Sequence, residues 1–338
     1  MAIQLKPVQQ QVVVITGASS GIGLATAHAF AARGAKVLLA ARDDRALDEI
    51  VRQIESKGGQ AAWIAADVGR REDVETIAAK AVERYGGFDT WVNNAGASIY
   101  GKLDEVSDED NHRLFDTNFW GLVYGSQIAV GHLKQRGGAL INLGSVASDV
   151  SLPLQGMYSA SKHAIKGFTD ALRLELEQEG APVWVTLIKP HSIATPFAQH
   201  AKNYTGREQT LPPPLYKPED VAAAIVHAAE HPERDIYVGG AGKVMSTFNK
   251  NFPGAMDWMS RTTMGDMQQR AKIDNTREDG LTQPGEGGRI EGSYPDRHPR
   301  HTRYTPASLH PVMTGMLAAA AGIATARMVR GGRHRHLD

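Results

Sequence analysis

Apolar runs of strand length recur at 12–16, 36–41, 61–65, 90–93, 139–143, 183–188 and 236–238. They are nearly continuous in Val, Ile, Leu and Ala and do not alternate with polar residues, as parallel strands covered on both faces require. Helical patterns lie between them. The clearest, Val74, Ile77, Ala78, Ala81, Val82 and Tyr85, makes a single apolar stripe, and another helix is expected over 22–33. Strand and helix alternate in this way up to residue 238, which predicts a doubly wound α/β domain over 1–250. The helices expected around 111–135 and 156–179 carry apolar residues on more than one face. In the second, Ala164, Phe168, Leu172 and Leu176 form a stripe while Ile165, Gly167 and Leu174 lie off it, so a second buried contact is predicted.

The pattern changes past residue 250. Residues 251–311 are rich in Gly, Pro, Arg, Asp, Gln and Asn, with loop-like stretches at Gln283-Pro-Gly-Glu-Gly-Gly288 and Tyr294-Pro-Asp-Arg-His-Pro299. They read as a polar linker or surface tail, partly disordered. Near its start Met256, Trp258, Met259, Met264 and Met267 mark a possible helix whose expected role is packing against the domain, with a substrate lid as the alternative. Residues 312–330 read as a short apolar helix and 331–338 as a basic tail. The apolar stretch falls short of the roughly 20 residues that span a bilayer. It is expected to dock on the protein or a partner, with weak interfacial membrane association through its arginines as the alternative.

Composition narrows the function. Lys and Arg balance Asp and Glu, 37 against 37, so no overall field draws in nucleic acid or acidic membranes, and a small-molecule enzyme fits. The absence of cysteine removes disulfides, thiolate nucleophiles and cysteine-type zinc sites; no metal is expected. Residues 1–7 lack the basic start and apolar core of a secretory signal, and a cytoplasmic location is expected, at most peripheral to a membrane.

The chemistry is carried by three features. The first is the turn Thr16-Gly-Ala-Ser-Ser-Gly-Ile-Gly23, which follows the first strand and opens a helix. Gly17, Gly21 and Gly23 let the backbone turn sharply and approach a pyrophosphate, whose charge meets the helix N-terminal amides. The second is Ala41-Arg42 at the end of the second strand. An acidic residue there binds adenine-ribose hydroxyls, whereas an arginine accommodates the additional phosphate of the phosphorylated cofactor. NADP(H) is therefore expected, with NAD left open by Asp43 and Asp44. The third is Tyr158 with Lys162, one helical turn apart, downstream of Ser145 at a strand end. Side chains four apart on a helix share a face, and a fixed ammonium lowers a phenol pKa from its usual value of about 10, so Tyr158 is expected to act as acid and base.

These motifs, with Asp67-Val68, Asn93-Asn-Ala-Gly96, Asn118 and Thr195 in the same order, resemble the short-chain dehydrogenase/reductase family over roughly residues 10–245. The resemblance implies a seven-stranded parallel sheet of order 3-2-1-4-5-6-7. It implies that Gly17, Ser19, Ser20, Gly21, Ile22 and Gly23 hold the dinucleotide, that Asp67 and Val68 lie along the adenine, and that Asn94, Ala95 and Gly96 back the cofactor. Lys162 would bond the nicotinamide ribose, Tyr158 would stand beside it, and Pro190, Ile193 and Thr195 would hold the carboxamide end. Asn118 would help to relay protons through a water, and helix contacts would join subunits into a dimer or tetramer. One position departs from the pattern: His191 stands where a glycine is usual, and it reads as a filler or loop-stabilising residue.

In the reduction direction a carbonyl oxygen is expected between the Ser145 hydroxyl and the Tyr158 phenol, with Tyr158 protonating the developing alkoxide. Ser98, Ile99, Leu152, Leu154, Phe197 and the stretch 200–214 are candidate walls. They favour an apolar carbonyl or alcohol. Two competing readings remain. A non-catalytic NADP-sensing or membrane-associated binding protein would be expected to lack the catalytic side chains, and all four are present. A sugar-nucleotide epimerase more often shows TGxxGxxG spacing.

Overall fold

The computed structural model describes residues 3–274, 279–310 and 314. Seven strands form one parallel sheet: β1 (Val12–Thr16), β2 (Lys36–Ala41), β3 (Gln60–Ala65), β4 (Thr90–Asn93), β5 (Gly138–Leu143), β6 (Val183–Pro190) and β7 (Asp235–Val238). Their order is 3-2-1-4-5-6-7.

The helices are α1 (Gly21–Ala31), α2 (Asp44–Ser56), α3 (Arg71–Tyr85), α4 (Asp108–Phe115), α5 (Gly121–Arg136), α6 (Gly156–Glu179), α7 (Pro218–Ala228), α8 (Gly240–Asn251) and α9 (Pro253–Met259). Successive strand residues face opposite sides, and both sides are apolar. Val13 and Ile15 join Leu39, Phe30, Ile50 and Ile225 under α1, α2 and α7. Val12 and Val14 join Leu38, Trp91, Ile77 and Leu133 under α3 and α5. Two-sided burial is why these strands read as continuous apolar runs. Each fully buried Leu or Ile contributes about 1.5–3 kcal/mol. Exposed ion pairs such as Lys80–Glu83 contribute about 0–1 kcal/mol, so the two clusters hold the fold.

Two helices differ from the expected stripes. In α3 the buried line is Val74, Ile77 and Ala81, and Val82 is exposed. In α6 the buried line is Tyr158, Ser161, Lys162, Ile165, Thr169, Arg173 and Leu176, so Ile165 faces inward and Ala164 does not belong to that line. The displacement has a polar cause. Arg173 is buried with its Nε donating to the Val185 carbonyl, 3.0 Å, and its Nη1 to Asp170, 2.8 Å. Satisfied polar groups share the inner face, and counting only apolar residues misplaces it.

Past β7 the chain doubles back over the carboxyl edge of the sheet. Residues Gln269–Ile273 pair antiparallel with Arg207–Gln209. Residues 279–292 cross the strand ends, and the helix Tyr304–Leu309 is tied to β7 by Thr305, which receives the Gly239 amide and donates to the Tyr237 carbonyl. Apart from Thr314, the expected apolar helix at 312–330 and the basic tail at 331–338 lie outside the described residues. Among the described residues no helix is long and apolar enough to cross a membrane.

Candidate active site

Parallel packing brings the carboxyl ends of β1 to β6 to one edge, and the strand order reverses between β1 and β4, where an open α/β sheet forms its crevice. A cavity of about 340 Å³ lies there. One end is bounded by Gly17, Ser19, Ser20, Gly21 and Ile22 after β1, by Arg42 after β2 and by Asp67 and Val68 after β3. Asn94, Ala95 and Gly96 form its floor. Ser145, Tyr158, Lys162, Pro190, Ile193 and Thr195 line the other end. Two residues assigned to the site lie behind this lining. Gly23 packs so closely on the Gly17 carbonyl that a side chain there would collide with it, and Asn118 is 1% exposed.

The turn after β1 is built for close approach. Gly17 has φ +64°, and a Cβ on it would lie 2.7 Å from the Ala95 Cα, so only glycine fits. Asn94 braces the turn by donating to the Thr16 and Gly17 carbonyls, 2.9 and 3.1 Å. Ser20, at the start of α1, makes no side-chain cap; the Gly21 amide donates to the Arg289 carbonyl, 2.9 Å, and no side chain competes with an anion for the amides that follow it. Asn93, by contrast, points into the interior and donates to Asn142, 2.9 Å.

At the adenine-side end Asp67 accepts from Arg113, 2.6 Å, and from the Gly69 amide, 3.0 Å. Burial works to raise its pKa, but these bonds and the nearby Arg42 outweigh it and hold the carboxyl below its usual value. The Asp43 carboxylate accepts the Ala46 amide, 3.0 Å, as the cap of α2. Arg42 and Asp43 both line this end after β2, and Arg42 brings its positive charge.

At the catalytic end Ser145 emerges just past β5. Its Oγ accepts the Ala147 amide, 3.1 Å, and Ser148 Oγ accepts the Ser145 amide, 3.2 Å. This reciprocal cap fixes the serine rotamer and leaves its proton for the neighbouring Tyr158 phenol, whose pKa the serine hydroxyl lowers. Tyr158 packs with Ile99, Leu114, Ala147 and Leu281. Lys162 donates to the Leu143 carbonyl, 2.9 Å, and its Nζ lies 5.7 Å from the Tyr158 ring centroid.

The expected lowering of the phenol pKa by Lys162 does not appear in the chain alone. Burial pushes Tyr158 up to about 12, with the Ser145 hydroxyl pulling the other way. Burial also pushes Lys162 down to about 8. The apolar cluster disfavours both charges, and the ammonium is turned toward a backbone carbonyl. Asn118 sits in a π-helical turn, Asp116–Trp120. Its Oδ1 accepts the Ala97 amide, 2.7 Å, while its Nδ2 donates to the Ala97 carbonyl, 3.0 Å, and to Ser161, 3.1 Å. Its amide thereby ties the loop after β4 to α6.

His191 forms part of the wall. Its ring meets Tyr216 edge-on, 6.1 Å between centroids, its buried Nδ1 finds no hydrogen-bond partner among the described residues, and Gly242 of α8 leaves space for it. Burial pushes its pKa from 6.5 down to about 4. Between those values the unfolded chain takes up a proton that the folded imidazole refuses, so stability is full above pH 6.5 and is lost as pH falls toward 4. The urea midpoint should fall over that interval and the fall should be shallower in His191→Asn; a flat wild-type midpoint would contradict it.

Several lining residues carried no signal for the site in the sequence. Met245, Met264 and Met267 line the cavity together with Gly280, Pro284 and Gly285, and Arg113 reaches the adenine-side end from α4. Met264 and Met267 read as packing residues with a substrate lid as the alternative, Met245 is not singled out, and the glycines read as loop, since periodicity does not show which surface a loop covers.

With this geometry in place the comparisons are decisive. The family model described as short chain dehydrogenase matches residues 11–205. The chain belongs to the short-chain dehydrogenase/reductase family. It is 43% identical over 321 residues to the uncharacterized oxidoreductase YxnA of Bacillus subtilis, covering 94% of this chain and 90% of that protein. A short-chain dehydrogenase/reductase from Burkholderia phymatum, solved in complex with NAD, superposes with TM-score 0.68 at 27% identity over 74% of this chain and 96% of its own. The alcohol dehydrogenase of Thermococcus sibiricus, solved with 5-hydroxy-NADP, gives TM-score 0.60 at 27% identity over 68% and 95% of the two chains. The protein is an oxidoreductase of this family.

Proposed function

We propose that this enzyme interconverts an apolar ketone or aldehyde and its alcohol, using NADP(H). The observation that carries this reading is the meeting of Ser145, Tyr158 and Lys162 at one end of a cavity whose other end is the glycine turn and Arg42. The residues fit a dinucleotide: Gly17, Ser19, Ser20, Gly21 and Ile22 line the cavity, the Ser20 side chain caps no amide at the start of α1, and Arg42 brings a guanidinium charge to the same end for a phosphate. When bound, the nicotinamide exchanges a hydride with the substrate carbon.

This chain's own groups handle the oxygen. The substrate oxygen lies between Ser145 Oγ and the Tyr158 phenol. Tyr158 donates its proton as charge develops, Ser145 holds the oxygen by a hydrogen bond, and the phenolate left behind is stabilised by Ser145 and Lys162 before solvent reprotonates it. Apolar walls from Leu152, Phe197, Leu211, Met245 and Met264 favour an apolar substrate. A second copy of the chain is the occupant we assign to the outer face of α6, where Leu174 is 65% exposed and Trp120 45% exposed nearby.

A phenol pushed up to about 12 stays protonated through the neutral range, so carbonyl reduction has its acid ready while alcohol oxidation awaits the phenolate. Oxidation kcat/KM should therefore rise about tenfold per pH unit between about pH 7 and 9, with reduction flat between about pH 6 and 7.5. A panel of ketones, aldehydes and secondary alcohols followed by NADPH absorbance provides the assay. An oxidation profile that levels off below pH 8, or no turnover with any of the panel, would contradict the scheme.

A further inference from the structure

Residues 280–292, a glycine-rich stretch with no helix or strand of its own, lie across the cleft and bond to three of the strand ends that form it. Arg42 after β2 donates one Nη to the Leu281 carbonyl, 3.0 Å, and the other to the Gly280 carbonyl. On the turn after β1, the Gly288 amide donates to the Ser19 carbonyl, 2.8 Å, and the Gly21 amide donates to the Arg289 carbonyl, 2.9 Å. After β6, the Gly292 amide donates to the Ala194 carbonyl, 2.9 Å. Leu281 is fully buried in the same cluster as Tyr158.

The seat is tight enough to dictate residue type. A Cβ on Gly287 would collide with the Ala46 Cβ and lie 2.9 Å from Asp43 Oδ2, and one on Gly292 would collide with the Thr195 carbonyl. These contacts are made to the elements that would bind a dinucleotide, so the segment is matched to the cleft and not merely laid on the surface.

We propose that residues 280–292 are a clasp that orients Arg42 toward the ribose phosphate of NADP(H) and must lift for the cofactor to enter or leave. The inference rests on the cofactor reading above. An unrestrained arginine samples many rotamers and loses that freedom on binding a phosphate. Two bonds to clasp carbonyls remove part of it beforehand, while Arg42 keeps its place in the cavity lining. A backbone clasp also closes the route over the glycine turn, so exchange of the dinucleotide waits on breaking its bonds.

The test uses the full chain with NADPH and NADH as probes. Gly287→Val should unseat the clasp, speeding NADPH release in stopped flow about tenfold and raising the NADPH Kd about tenfold, with the NADH Kd changed less than about threefold. Hydrogen exchange on the wild-type protein supplies an arm that does not depend on the variant folding: amides of 280–292 should exchange more slowly with NADPH bound. Equal exchange with and without NADPH would overturn the clasp. So would unchanged release and selectivity in a folded Gly287→Val whose segment amides exchange faster. Failure of the wild-type protein to bind either dinucleotide would overturn the cofactor reading and the clasp with it, which separates the two failures.

Discussion

Tyr158→Phe should lower kcat for carbonyl reduction about 1000-fold, the middle of the range for loss of a positioned general acid, while the NADPH Kd stays within about twofold. The substitution removes only the phenol oxygen. The ring keeps its packing against Ile99, Leu114 and Leu281 and its tilted contact with Phe197, 5.7 Å between centroids. Stability should hardly change, because losing one hydrogen bond is offset by no longer burying the hydroxyl. Ser145→Ala should have a smaller effect, about 100-fold, since the serine supports the oxygen but does not supply the proton. Rates from single-turnover NADPH oxidation would measure both. A phenylalanine variant retaining a tenth of the wild-type rate would remove Tyr158 from the chemistry.

Arg42→Ala should reduce the NADPH-to-NADH ratio of kcat/KM about 100-fold, nearly all of it through NADPH. A charge-assisted fork to a phosphate contributes about 1.5–3 kcal/mol, and each 1.4 kcal/mol is about tenfold in the ratio. The effect is concentrated on Arg42 because Asp43 is engaged as the cap of α2 and Asp67 is paired with Arg113. Arg42→Lys should recover only part of the loss, since lysine keeps the charge without the planar fork. An alanine variant with unaltered selectivity would show that the phosphate, if bound at all, is held elsewhere.

Much of the domain was legible because its strands are buried on both faces. A strand such as Val12–Thr16, entirely buried, admits a polar residue only at its end, where Thr16 donates to the Val92 carbonyl, so its limits show as a change in composition. The catalytic groups were legible for a related reason. Ser145 follows β5 and Tyr158 with Lys162 opens α6, so chain direction alone sends them to the carboxyl edge. Other features depended on which polar groups find partners. The inner line of α6 runs through Arg173 and Lys162, which hydropathy assigns to solvent; each is buried with a backbone carbonyl to receive its proton. The state of Tyr158 was misjudged from four-residue spacing, which reports that two side chains share a face and not how dry that face is.

The amino-acid order by itself determined the parallel sheet, the glycine turn, the strand-end arginine and the placing of Ser145, Tyr158 and Lys162, because each follows from local steric rules and from burial of successive elements. Only the tertiary structure decided that desolvation raises the phenol and that residues 280–292 cross the cleft. Those outcomes depend on contacts between segments up to 239 positions apart, as between Arg42 and Leu281. A loop without periodicity carries no local mark of the surface it will cover.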